Sequence, residues 1–372
     1  MEDQPGTLVA GRYELVELAG RGGMATVWRA VARGAAGFER TVALKRIHEA
    51  LLRDAELVAM FVEEARVGSR LQHPNIVQVL DFGSDGRGYF LVMEWVEGID
   101  LSRWVRAYVE HGEPTPWWIV ASIGIELLRA LAAAHAHLDD AGRPAPVIHR
   151  DVDPHNVLLS VGGTVKLTDF GLARAMDRAR MTVPGIVKGK FGYLAPETTF
   201  GHPPTVASDV YAAGIVLWEA LAGRRLFDGA SDMDVLLACR QAHVPAIRSL
   251  RPDVPDALET AIHILLSRHP AHRPASADEA ARMLADVLRL QPVRADATEI
   301  ARSVALARSR VPRGPHALLR PPREAIADLL RPPPRSGATP ATAPHARPAL
   351  LVVPSEPAID VGVIPLTRRK DE

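Results

Sequence analysis

Between residues 12 and 98 the apolar positions come in short runs. Tyr13–Leu18, Ala25–Ala30, Thr41–Ile47, Val77–Phe82 and Tyr89–Trp95 each have the length and alternation of a strand. One stretch breaks this rhythm. In Ala55–Leu71, the residues Leu57, Phe61, Glu64, Gly68 and Leu71 recur at three-and-four spacing, which predicts a helix with one buried face. From residue 100 to 290 the period is mostly helical, with a short hairpin at 157–168. Trp117–Leu138 is the most apolar run, but Glu126, Arg129, His135 and His137 interrupt it, so it reads as a long buried helix and not a membrane span. Asp209–Ala222 is apolar on nearly every face, capped by Ser208 and stopped by Gly223, so it too must be buried. The pattern predicts an α+β chain: a small β-rich lobe with one key helix, then a larger α-helical lobe.

Composition changes the picture at the two ends. Residues 291–372 hold 14 of the 30 prolines and no Phe, Trp or Tyr. They carry 13 basic against 8 acidic residues, a net of +5 that leaves −5 on the rest. So few rings and so many prolines predict a mostly disordered tail. Residues 1–11 read as an N-terminal extension, acidic at the start and without an apolar stretch, so no leader is expected and the location is expected to be cytoplasmic. The balance of 44 basic and 44 acidic side chains argues against bulk nucleic-acid binding. A single cysteine, Cys239, excludes an internal disulfide and a four-cysteine zinc site, and reads as core filler. Of the 44 basic residues only five are lysines, so each lysine stands out as a choice.

Four segments carry candidate chemistry. Leu18, Ala19, Gly20, Gly22, Gly23 and Val27 put a glycine-rich turn between two strands, where backbone N–H groups can approach phosphates. No helix follows, which disfavours a dinucleotide fingerprint, and the Walker A Lys-Ser/Thr is absent. In the next strand Ala43 and Lys45 share a face, with small Ala43 leaving room for a flat ligand. Glu64 sits on an otherwise apolar stripe, needs a partner if buried, and has Lys45 as the candidate. In the loop 149–156, Asp151 and Asn156 lie five residues apart, and the hairpin that follows ends at Asp169-Phe170-Gly171. A tight hairpin brings Asn156 and Asp169 side by side, an oxygen pair suited to Mg²⁺, with Asp151 close by as a base.

These motifs resemble those of the eukaryotic-like (Hanks-type) serine/threonine protein kinases of bacteria, over about residues 12–290. The resemblance implies the bilobal protein-kinase fold, with an N-lobe at 12–96 and a C-lobe at 97–290. It implies that Gly20, Gly22, Gly23 and Val27 cover ATP and that Lys45 holds its α- and β-phosphates while pairing with Glu64. By the same likeness Met93 is the gatekeeper, Glu94 and Val96 offer hinge backbone to adenine, Asp100 lies near the ribose and Leu158 packs beneath the adenine. Asp151 would accept the substrate hydroxyl proton, and Asn156 and Asp169 would hold Mg²⁺, with Mn²⁺ an alternative. Ala195-Pro196-Glu197, Asp209 and Arg273 match the family's large-lobe motifs. The implied activity moves the γ-phosphoryl of ATP to Ser/Thr hydroxyls of protein substrates, with a homodimer serving trans-autophosphorylation. The alternative is a pseudokinase that binds nucleotide as a scaffold.

Two departures are coupled. The family's Lys two residues after the catalytic Asp is here Asp153, and the family's Thr six residues before the Ala-Pro-Glu proline is here Lys190. The expectation is that Lys190 takes over the missing lysine's contact, held by Asp153. Thr182, the only Ser or Thr between Gly171 and Ala195, is the expected phosphosite, with Arg150, Arg174, Arg178 and Arg180 nearby in sequence.

Overall fold

The alternating runs of the first ninety-odd residues form one antiparallel sheet. The computed structural model describes residues 3–170 and 191–311. Its strands are β1 (Leu8–Val9), β2 (Tyr13–Arg21), β3 (Ala25–Arg33), β4 (Glu39–Ile47), β5 (Val79–Asp85) and β6 (Gly88–Glu94), in the order β1-β2-β3-β4-β6-β5. Both faces of β4 are covered. Val42 and Leu44 join Tyr13, Leu15, Trp28 and Phe90 on one side. Ala43 and Ile47 meet Phe61 and Ala65 of helix α1 (Ala55–Arg70) on the other. Lys45 shares the parity of Ala43 and Ile47 and therefore points toward α1. Asp54 starts that helix by accepting the Glu56 and Leu57 N–H groups.

Residues 1–11, read as an N-terminal extension, pack onto the sheet from residue 3 onward. Leu8–Val9 pairs with β2, Val9 is fully buried, and Asp3 bridges Arg46 at 2.9 Å and Arg87 at 2.6 Å. Arg46 also forks onto Asp85 with two 2.8 Å bonds. A two-residue strand is too short to show a period, which is why the pattern misses it.

The large lobe begins at β7 (Gly98–Asp100), followed by α2 (Leu101–Val109), α3 (Trp117–His135), β8 (Val157–Ser160) and β9 (Val165–Leu167), with β8 central in a three-stranded sheet. α3 is long and apolar enough to cross a bilayer, but 72% of its most apolar window is buried against protein. Helix Val206–Ala222 is buried on all sides and ends at Gly223 with φ 67°. Its cap is Thr205 and not Ser208: Ser208 sits three residues in and returns its hydroxyl to the Thr205 N–H at 3.0 Å. Arg273, with a fully buried side chain, forks onto Glu197 at 2.7 and 2.8 Å and also donates to the Ser267 and Ala207 carbonyls.

The start of the mostly disordered tail, expected at 291, is corrected for the residues up to 311. Residues Ala297–Arg310 form a helix capped by Asp296, and Ile300, Val304, Ala307 and the following Val311 are buried. The Trp104 indole of α2 donates to Ser303 at 3.3 Å, and Arg310 forks onto Glu113 at 2.8 and 2.9 Å. At the other end Gly163, with φ 81°, lies so close that an added Cβ would come within 1.8 Å of the Ala297 carbonyl oxygen. Residues 312–372 lie outside the described residues.

Two consequences are measurable. A chain ending at Arg294 should be less stable than one ending at Arg313 by at least about 3 kcal/mol, since burial of a Val or Ile side chain contributes ~1.5–3 kcal/mol; urea midpoints of the two chains check this. Glu197→Gln leaves the Arg273 guanidinium buried beside a neutral amide and should cost roughly 3 kcal/mol, read from the same transition.

Candidate active site

Three distant parts of the chain converge on one ammonium. Lys45 Nζ, from β4, donates to Glu64 Oε1 of α1 at 2.6 Å and to Asp169 Oδ1, beyond β9, at 2.9 Å. Lys45 and Glu64 are almost wholly buried, and Asp169 is partly so. Burial pushes the Glu64 carboxyl up, against the pull of Lys45. Burial also works against the Lys45 charge, but Asp169 and Glu64 together outweigh it and hold the ammonium above the ordinary lysine range. The solvated placement of Glu64 that periodicity leaves open is thereby excluded.

The loop that carries Asp151 is built on a second buried charge. Asp209 is 1% exposed and accepts the His149 N–H at 2.8 Å, the Arg150 N–H at 2.9 Å and the His135 Nε2 at 2.8 Å. Two consecutive N–H groups can turn to one carboxylate because Arg150 adopts φ 68°. Asp169 has φ 64°, a second left-handed non-glycine residue at the same site. Such conformations cost on the order of 1 kcal/mol and persist where the surroundings over-determine them. His149 is fully buried. Its Nε2 donates to the Thr168 carbonyl at 2.9 Å, its Nδ1 accepts the Asp151 N–H at 3.2 Å, and its ring meets Phe170 edge-on at 4.6 Å. Spacing along the chain gives His135 and His149 no role; both prove to be the loop's scaffold.

The hairpin closes as its length requires. The Thr168 N–H donates to the Asn156 carbonyl at 3.0 Å, so Asn156 and Asp169 flank one junction. Asn156 Nδ2 donates to the Asp151 carbonyl at 2.8 Å, which commits the amide nitrogen inward and leaves Oδ1 as the amide's outward donor atom. An amide oxygen beside a carboxylate is a hard-oxygen pair. It fits a divalent cation that draws its remaining ligands from water and phosphate. Among the described residues no cluster of three His, Cys, Asp or Glu is placed to hold a metal ion.

Asp153 has a structural task that the sequence does not suggest. Its Oδ1 accepts the His155 N–H at 2.7 Å and the Asn156 N–H at 3.2 Å, an Asx turn that sets the loop between Asp151 and Asn156. Beside it lies a polar cluster: Tyr193 donates to Glu219 at 2.7 Å, and Arg225 bonds the Tyr193 hydroxyl and approaches Glu219 at 3.6 Å. Burial, then the nearby Glu219, raises the Tyr193 phenol well above its ordinary value. Lys190 and Thr182, with Arg174, Arg178 and Arg180, lie outside the described residues.

The proposed nucleotide edge is assembled from both lobes. Gly20 pairs with Val27 across β2 and β3, and Leu18 and Ala19 precede it on β2. The Gly22 N–H bonds the Ala25 carbonyl at 2.9 Å, while His48 Nε2 meets the Gly22 carbonyl at 2.8 Å; Gly23 at the tip is exposed. Ala43 faces Met93 across β4 and β6, and both are buried. Val96 is half-buried in the connection between the lobes. Glu94 turns its side chain to Lys166 at 2.7 Å and to the Gln78 N–H at 2.8 Å. Gly98 is needed where that connection ends, because an added Cβ would lie 1.9 Å from the Leu159 carbonyl oxygen. Leu158 is half-buried and pairs with Asp100 across β7 and β8. Asp100, expected near the ribose, is 2% exposed and caps α2 through the Arg103 N–H at 2.9 Å. Cys239 is fully buried, and burial pushes its thiol up to about 12, so it is no nucleophile.

Comparison with known proteins agrees with this geometry. Residues 13–296 match the family model described as the protein kinase domain. The chain is 38% identical over 278 residues to the tyrosine-protein kinase MasK of Myxococcus xanthus, covering 75% of this chain and 42% of that protein. It is 36% identical over 274 residues to the serine/threonine-protein kinase PrkC of Bacillus subtilis, covering 74% and 40%, and 40% identical over 303 residues to PkaA of Streptomyces coelicolor, covering 78% and 53%. The chain thus spans about half or less of the length of these relatives. The crystal structure of the PknI kinase domain of Mycobacterium tuberculosis superposes with a TM-score of 0.57 at 27% identity, covering 77% of this chain and 99% of that one. With a buried Lys–Glu–Asp junction, an Asp–Asn loop and a family match over most of its length, this chain belongs to the protein kinase domain family.

Proposed function

We propose that the chain is a bacterial signalling kinase that transfers the γ-phosphoryl group of Mg-ATP to Ser or Thr hydroxyls of proteins, its own included. The observation that carries this reading is the Lys45 ammonium shared by Glu64 and Asp169, set against the loop that holds Asp151 and Asn156. A scaffold that only bound nucleotide would not need Asp151 beside this junction, so the pseudokinase reading is the weaker one. Pro154 favours Ser/Thr acceptors, whereas one relative is named a tyrosine kinase, and phosphoamino-acid analysis of the product separates the two.

In this reading Lys45 orients the α- and β-phosphates, and Glu64 holds its side chain extended. Asp151 accepts the proton of the incoming hydroxyl as the oxygen attacks phosphorus and the β–γ bridging bond breaks. Asn156 and Asp169 would hold the divalent cation, which when bound neutralises charge on the phosphates. The hinge main chain at Glu94 and Val96 faces adenine, Met93 closes the back of the cleft and Leu158 forms its floor. Thr182 is the activation-segment phosphosite, two copies of the chain modify each other there, and the cytoplasm is the site of action.

Lys45→Met and Asp151→Asn should each lower transfer from radiolabelled ATP at least roughly a hundredfold, about 3 kcal/mol of lost transition-state stabilisation, with the fold retained. Near-normal turnover in either variant would end the assignment, and phosphopeptide mass spectrometry of the same reaction should place phosphate on Thr182. Lys190 supplies the γ-phosphate contact in this reading, restrained by Asp153. Lys190→Ala should lose about tenfold in turnover. Asp153→Asn keeps the turn acceptor but removes the charge, so the double variant should cost less than the product of the single effects. Simple additivity would refute the pairing.

A further inference from the structure

The helix Ala297–Arg310, which composition alone assigns to an unpacked tail, runs behind the connection between the lobes. Its first turn abuts the β8–β9 turn, where Gly163 meets the Ala297 backbone. Its middle rests on Trp104 of α2 through Ser303. Near its end Arg308 donates to Glu97, one residue beyond Val96. The other oxygen of Glu97 accepts the Trp95 indole N–H at 3.0 Å, and its main-chain carbonyl accepts the Val161 N–H at 2.8 Å. The Trp95 hydrogen bond, together with Arg308, holds the Glu97 carboxyl below its ordinary range although burial opposes them. At the other end of the same connection Lys166 fixes Glu94. Both acids that bracket Trp95 and Val96 are thus tied to cations of the large lobe, one from β9 and one from this helix.

We infer that Arg308 is a positioning residue for nucleotide binding: through Glu97 it fixes the main chain of residues 95–97, so the helix Ala297–Arg310 is a brace of the ATP site. The inference rests on the reading that Val96 and its neighbours face adenine. A free connection would have to lose torsional freedom each time the base docks; a braced one has lost it already, which lowers the cost of binding. The transferring groups Lys45, Asp151 and Asp169 are not touched by the brace, so it acts on affinity and not on the chemical step.

The test uses the full-length chain and ATP itself. Equilibrium binding of ATP and steady-state transfer are measured for wild type, Arg308→Ala, Arg308→Lys, Glu97→Ala and the Arg308→Ala/Glu97→Ala pair, each checked for an intact fold by circular dichroism. Arg308→Ala and Glu97→Ala should each raise the Kd and KM for ATP about threefold, the range a half-exposed ion pair can supply, with kcat unchanged. The double variant should bind no worse than either single one, and Arg308→Lys should recover part of the loss. A folded Arg308→Ala protein with wild-type Kd, or effects that add, overturns the brace. Wild-type protein that binds ATP without transferring phosphate fails the kinase reading instead, and the Kd comparison then decides the role of Arg308 by itself.

Discussion

Everything around the cleft depends on where one buried positive charge can be neutralised. Lys45 lies on the inner face of β4, almost wholly shielded from water. An unpaired ammonium there would be several kcal/mol too costly, so the lobe must deliver carboxylates to it. Glu64 arrives on α1 and Asp169 arrives from the other lobe, 124 residues along the chain from Lys45. The same contact therefore fixes the helix against the sheet and the small lobe against the large one.

The large lobe repeats the strategy with the sign reversed. Asp209, inside an almost wholly apolar helix, is satisfied by two main-chain N–H groups and one imidazole. The helix is rigid because it is buried on all faces, and Asp209 passes that rigidity to the loop before Asp151. The left-handed backbone at Arg150 is the local consequence. His149 extends the chain of contacts to Thr168 and Phe170, so the loop and the far end of the hairpin are held by the same imidazole. Placement of Asp151, Asn156 and Asp169 is thus set by buried hydrogen bonds and ion pairs.

Much of this is legible in the residues. The period of two in β4 puts Ala43 and Lys45 on one face, the three-and-four spacing of α1 puts Glu64 on the buried stripe, and hairpin geometry puts Asn156 beside Asp169. What escapes does so for identifiable reasons. Asp153 reads as a charge along the chain, yet its backbone hydrogen bonds depend on loop dihedrals that no periodicity encodes. The capping of α2 by Asp100 is a second task that the resemblance, which places it near a ribose, does not suggest. The helix Ala297–Arg310 is hidden by averaging: proline and the lack of rings across 82 residues mask one 14-residue segment. Within it and just beyond, Ile300, Val304, Ala307 and Val311 recur at four, three and four, a signal that a shorter window resolves.

Gly163 carries a record of that helix. Two independent constraints act there: a left-handed backbone at φ 81° and the Ala297 carbonyl where a Cβ would sit. The first alone would admit asparagine, which tolerates such dihedrals. Only the second forbids any side chain at all. In a descendant that lost the helix, position 163 would be released from the stricter constraint and asparagine would become an acceptable replacement, while a descendant that kept the helix would remain confined to glycine. A side chain at position 163 thus marks, without a structure, a chain in which the segment that begins at Ala297 is not docked there, whereas glycine is compatible with either state.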